Sequence, residues 1–262
     1  MVAQIEKITV QVGQIEAQVE KRGQGKPLLY LHGAFAYGGW PGFLQSLAER
    51  NTVYAPLHPG FGEGDGIEQL DDVLDLALYT YDLMDALGLE TANVVGHFFG
   101  AMIAAEMAAI CPHRVDKLVL AAPAGLWLDA DPGVDYFATP ANELRGILFS
   151  DGDSAIAKQV MPDAANDDER GEQALARVRS LSAVGKFLWP IPDRGLKRRL
   201  GRIRAPTLVV VADGDKIIPP AYGDAFVERI PGARLEVFTN SGHLLNIERG
   251  DDFASLVSEF LG

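Results

Sequence analysis

The chain has 262 residues, 48% of them hydrophobic and 23% charged, and its 36 acidic against 23 basic side chains give a net charge of −13. That length is enough for one well-buried core, alone or with a small inserted subdomain, and the acidic surface argues against nucleic acid and anionic lipid as partners. A single cysteine, Cys111, excludes an internal disulfide and cysteine-rich metal sites.

The stretch Met1 to Lys7 has neither the basic nor the apolar region of a secretory signal, and no run of about 18 apolar residues occurs, so a cytoplasmic chain without a transmembrane helix is expected. Ile5, Ile8 and Val10, then Ile15 and Val19, alternate as two strands joined near Gly13. Pro27 to Leu31 is a short apolar run that ends in His32-Gly33, a buried strand entering a tight turn. Thr52 to Ala55 forms another, followed by the loop signal Pro59-Gly60-Phe61-Gly62. Leu70, Leu74, Ala77, Tyr81, Met84 and Leu87 recur at helical spacing, with Asp71 and Asp72 at the positive end of the dipole and Gly88 as the stop.

Thr91 to Val95 and Lys117 to Ala121 read as strands flanking a helix, Ala101 to Ile110, that is apolar nearly all round and therefore buried. After residue 204 the rhythm resumes with a strand at 206–211, a helix at 221–230, a strand at 234–238 and a terminal amphipathic helix marked by Phe253, Leu256, Val257 and Phe260. Continuous apolar strands alternating with helices predict an α/β fold whose mostly parallel sheet is covered on both faces. Residues 125–204 break the pattern: they hold no clear strand, many charges and several Pro and Gly, and read as a helical insertion over one edge of the sheet. Within it, the acidic run 163–172 reads as a solvated face, and Lys197, Arg198, Arg199, Arg202 and Arg204 as the outside of a surface helix whose inner side is Leu196, Leu200 and Ile203.

Three short segments carry chemistry. Gly96-His97-Phe98-Phe99-Gly100 follows an apolar strand and opens a helix, the setting in which a G-x-S-x-G turn presents a nucleophile. Asp213-Gly214-Asp215 follows the strand at 206–211, and Ser241-Gly242-His243 follows the strand at 234–238. Elbow, acid and histidine thus occur in that order, each at a strand's carboxyl end; Asp215 would orient His243, and His243 would move protons. His32-Gly33-Ala34-Phe35 is a fourth turn of this kind, able to offer a backbone N–H from Ala34 or Phe35, with Phe99 N–H as the second oxyanion donor. His32 itself reads as a turn-packing residue.

On these segments the chain resembles the α/β-hydrolase superfamily over essentially its whole length. The run Lys186-Phe187-Leu188-Trp189-Pro190 before Ala205-Pro206-Thr207 is loosely similar to the cap-to-core return of ester and C–C bond hydrolases. The resemblance implies an eight-stranded sheet built from residues 1–124 and 205–262, a helical cap from 125–204, a small ester, thioester or C–C bond substrate, and no cofactor or metal. It implies nothing about oligomeric state. Trp40, Trp127, Phe137 and Trp189 are candidates to line the pocket.

The departure lies at the centre of the elbow, where the family has Ser, sometimes Asp or Cys, and this chain has Phe98. A phenyl ring has no lone pair for attack on a carbonyl. Cys111, 13 residues along the helix from Phe98, lies about 20 Å away and cannot replace it; Ser241 belongs to a different loop geometry. Three readings stay open: a hydrolase impaired by Phe98, a His243–Asp215 general base that acts without a nucleophile, and a non-catalytic ligand-binding module. A nucleotide-binding reading lacks both G-x-G-x-x-G and a Walker motif.

Overall fold

Every residue of the segments Ala92–His97 and Thr207–Ala212 is buried. Because side chains alternate across a strand, this requires cover on both sheet faces. The computed structural model, which describes residues 4–34, 39–62, 64 and 66–262, meets that requirement with an eight-stranded sheet between helices.

In chain order the elements are β1 (Glu6–Val12), β2 (Ile15–Arg22), β3 (Lys26–Leu31), α1 (Gly42–Leu47), β4 (Asn51–Pro56), α2 (Val73–Ala86), β5 (Ala92–His97), α3 (Phe99–Ile110) and β6 (Val115–Ala121). Then come α4 (Leu144–Leu148), α5 (Ala155–Val160), α6 (Asp167–Leu188), α7 (Leu196–Arg199), β7 (Thr207–Ala212), α8 (Ala221–Val227), β8 (Arg234–Phe238), α9 (Leu245–Glu248) and α10 (Gly250–Leu261). The sheet order is β1-β2-β4-β3-β5-β6-β7-β8. β1–β2 and β2–β4 are antiparallel, and the pairs from β4–β3 to β7–β8 are parallel. Helix α1 packs on α10, α2 on α3, and α3 against β5 and β6.

Helix α2 starts later than the periodicity suggests, because the Asp72 carboxylate accepts from Leu74 N at 2.7 Å and Asp75 N at 3.1 Å and so caps the helix there, leaving Leu70 and Asp71 outside. Between β6 and β7 the described residues form helices and turns and no strand. The basic run within this insertion is not wholly a surface feature. Leu196, Leu200 and Ile203 are buried as expected, but Arg199 turns inward and grips Glu106 of α3 through two bonds of 2.7 and 2.6 Å, with the Glu106 side chain only 2% exposed. A charge placed in an otherwise apolar helix is tolerable only with such a partner. This pair fastens the end of the insertion to the core.

Candidate active site

The elbow forms because an apolar central strand must pass directly into an apolar helix. Phe98 stands between β5 and α3 at φ 48°, ψ −106°, a conformation that disfavours any side chain. Two glycines make room for it: a Cβ at Gly96 would meet Gly100 O at 2.5 Å, and one at Gly100 would meet Leu31 O at 2.0 Å. The Phe98 backbone is tied on both sides, donating to Ala121 O at 2.9 Å and accepting from Met102 N and Ala124 N.

Asp215 lies in the turn after β7. Its Oδ1 accepts from Ile217 N at 2.8 Å and Ile218 N at 2.9 Å, which leaves Oδ2 for His243 Nδ1, 2.8 Å away. Both side chains are buried. Since a carboxylate only accepts, Nδ1 carries the imidazole proton, and Nε2 is the basic nitrogen. The histidine loop is held from several directions. Gly242 N donates to Glu248 Oε2 at 2.6 Å, Leu244 N to Leu148 O at 3.0 Å, and His97 Nε2 to the His243 carbonyl at 2.9 Å. His97 therefore points beside the elbow; complete burial pushes its pKa down to about 3 and keeps it neutral.

The structure thus brings Phe98, Asp215 and His243 together from three separate turns. The Phe98 ring meets the His243 ring edge to face, with centroids 4.7 Å apart at 83°. Phe98 is 4% exposed and His243 2%. Phe98 lines a solvent-open cleft between the insertion and the turn after Asp215, whereas His243 does not line it. The phenyl ring separates the base from the cleft.

Ala34 is buried, and its carbonyl accepts from Ser180 Oγ of α6, so the turn after β3 is tied to the insertion. Phe35 lies outside the described residues. Phe99 is the first residue of α3, where backbone N–H groups lack intrahelical acceptors; its ring stacks between Phe61 and Phe187. Trp127, Phe137 and Trp189 line the cleft as expected; Trp40 does not, and packs against the core instead.

His32 packs its turn as expected, with a partner that no local pattern announces. His58 N donates to His32 Nε2 at 3.2 Å, so His32 carries its proton on Nδ1 and gives it to Gly33 O at 2.8 Å; His58 Nε2 then donates to His32 O at 3.0 Å. Burial lowers the His32 pKa to about 4 and that of His58 well below its ordinary value. The available signal is positional: β3 and β4 are neighbours, and each ends near a histidine. Tyr136 and Ser180, which approach each other beside the cleft, and Glu248 also escape sequence reading. Among the described residues no group of three or more His, Cys, Asp or Glu could hold a metal ion, and no helix is long and apolar enough to cross a membrane.

The sequence profile described as "Alpha/beta hydrolase family" matches residues 28–256. The chain is 30% identical over 254 residues to the dihydrolipoyllysine-residue acetyltransferase component of the acetoin cleaving system of Cupriavidus necator, across 92% of this chain but only 65% of that relative's length. It is also 30% identical to a 2-hydroxy-6-oxo-6-phenylhexa-2,4-dienoate hydrolase of Comamonas testosteroni, covering 91% of this chain and 88% of that one. Among solved structures, a meta-cleavage product hydrolase of Pseudomonas fluorescens IP01 superposes with a TM-score of 0.76 at 25% identity, over 97% of both chains.

Proposed function

The chain belongs to the alpha/beta hydrolase family, and from that premise we propose that its elbow has lost hydrolytic chemistry while the adjoining cleft remains a small-molecule binding site. One observation carries this reading: the Phe98 ring sits against the His243 ring at 4.7 Å, buried, between the imidazole and the cleft. A nucleophile at that position would receive help from His243 Nε2 and from backbone N–H groups of Phe99 and of Ala34 or Phe35. The phenyl ring supplies no attacking atom and occupies the space an acyl carbon needs. Residues 125–204 act as a cap over a core of 1–124 and 205–262, and of the ester, thioester and C–C bond alternatives the meta-cleavage product hydrolases among the relatives favour descent from a C–C bond hydrolase.

The test is restoration. The unaltered chain is expected neither to react with a fluorophosphonate probe nor to turn over p-nitrophenyl esters, whereas Phe98→Ser gains both activities and loses them again with His243→Ala. Elbow labelling of the unaltered chain would sink the proposal. The intact Asp215–His243 bond at 2.8 Å favours a second reading, a general base that needs no nucleophile. That reading requires Phe98 to swing aside, and it fails if His243→Ala leaves a measured activity untouched.

A further inference from the structure

Burying a charged ligand group without a partner is costly, so the charges around a cleft restrict what it can hold. Among the residues that line this cleft there is no Lys, Arg or His, and the single ionisable acid is Asp135. Asp135 Oδ1 caps the turn above it, accepting from Phe137 N at 2.8 Å and Ala138 N at 3.2 Å. Asp129 and Asp131 lie close enough to act on the hydroxyl of Tyr222, another lining residue, adding negative potential on the same flank. The neighbouring cations do not line the cleft: Lys186 donates to Ile67 O, Arg194 to Phe187 O and Trp189 O, and Lys216 to Gly146 O, while Arg177, whose charge reaches Tyr136, donates to Thr139 O. The remaining walls are apolar and aromatic, with Trp127, Phe137, Leu188 and Trp189 among them, and Trp189 keeps 57% of its surface exposed.

From this charge distribution we infer that the cleft takes an uncharged, flat, apolar ligand and rejects the carboxylate form of the same skeleton. The inference rests on the cleft being a binding site. Hydrophobic cover and ring stacking hold the body of the ligand. Tyr222 Oη accepts from Leu128 N at 3.3 Å, which leaves its own proton for a neutral acceptor such as a carbonyl oxygen. A carboxylate would lose part of its hydration, find no cation among the lining residues, and meet the like charge of the exposed Asp135.

Calorimetric titration of the full chain with methyl 2-naphthoate and with 2-naphthoate reads this directly. The ester is expected to bind about tenfold more tightly than the acid anion, the sum of the anion's unreturned hydration and its repulsion by Asp135. Asp135→Asn keeps the Oδ1 acceptor and removes the charge; it is expected to narrow the ratio of ester to anion affinity to about threefold. Binding of the anion as tight as that of the ester, or a ratio unmoved by Asp135→Asn, overturns the inference alone. Silence from both probes removes the binding site and the inference with it. Hydrolysis of the ester by the unaltered chain would instead refute the loss of elbow chemistry and leave the charge preference standing.

Discussion

Phe98 holds a side chain at φ 48° in the turn between β5 and α3. The surrounding contacts over-determine that conformation: strand β5 fixes one end, buried helix α3 the other, and Gly96 and Gly100 allow the two to approach. Gly100→Ala tests the approach, because its Cβ would lie 2.0 Å from the Leu31 carbonyl oxygen. Backbone must shift, and a loss of about 3 kcal/mol or more is expected in urea unfolding; an unchanged midpoint would mean that α3 is free to slide. These glycines were legible in the sequence, as were Asp215 and His243, because each sits where an apolar strand runs into a turn. His58 and Ser180 were not. Their partners, His32 and Ala34, lie far off in the chain, and no local periodicity reports a contact made by strand order or by a helix laid over the sheet.

At the scale of elements, the strands and core helices follow from apolar runs and periodicity, since burial on both sheet faces leaves an unmistakable composition. The insertion is less legible. Helix α6 exposes Leu175 and Val178 and buries only Ala183, Val184, Phe187 and Leu188 near its end, so its pattern carries little amphipathic signal. The inward turn of Arg199 is equally hidden among basic neighbours. Removing that side chain leaves the Glu106 carboxylate buried and alone. Arg199→Met is expected to cost about 2–3 kcal/mol in urea unfolding, below the full value for a buried pair because Arg199 is 34% exposed. Glu106→Met combined with Arg199→Met should recover much of the loss, as apolar replacements need no partner; a double variant no better than the single one would show that packing, and not the stranded charge, sets the cost.

For the whole molecule, three buried histidines tie stability to pH. His32 and His97 have pKa values lowered by burial to about 4 and about 3, and that of His58 is well below the usual 6.5. The unfolded chain protonates these rings near pH 6.5 while the folded one does not, so the unfolded state binds more protons as the medium is acidified. Stability is then fully present above about pH 6.5 and falls toward pH 4, by up to about 1.4 kcal/mol per pH unit for each histidine. Urea midpoints at pH 7, 6 and 5 should decline in that sense. His97→Gln keeps a donor near the Nε2 position and removes one titrating ring, so its decline should be shallower by about one third; an equal slope would assign the acid sensitivity to other groups.

The order of strands has a consequence for how the chain is made. Strands β1 to β6 are contiguous in the sheet, while β7 and β8 add to the open flank of β6 after the whole insertion has been synthesised. Asp215 and His243 both arrive with that late pair. A nascent chain emerging from the ribosome can therefore close its elbow and bury Phe98's backbone ties to β6 well before any imidazole reaches the spot, and the meeting of ring and ring is among the final steps of assembly.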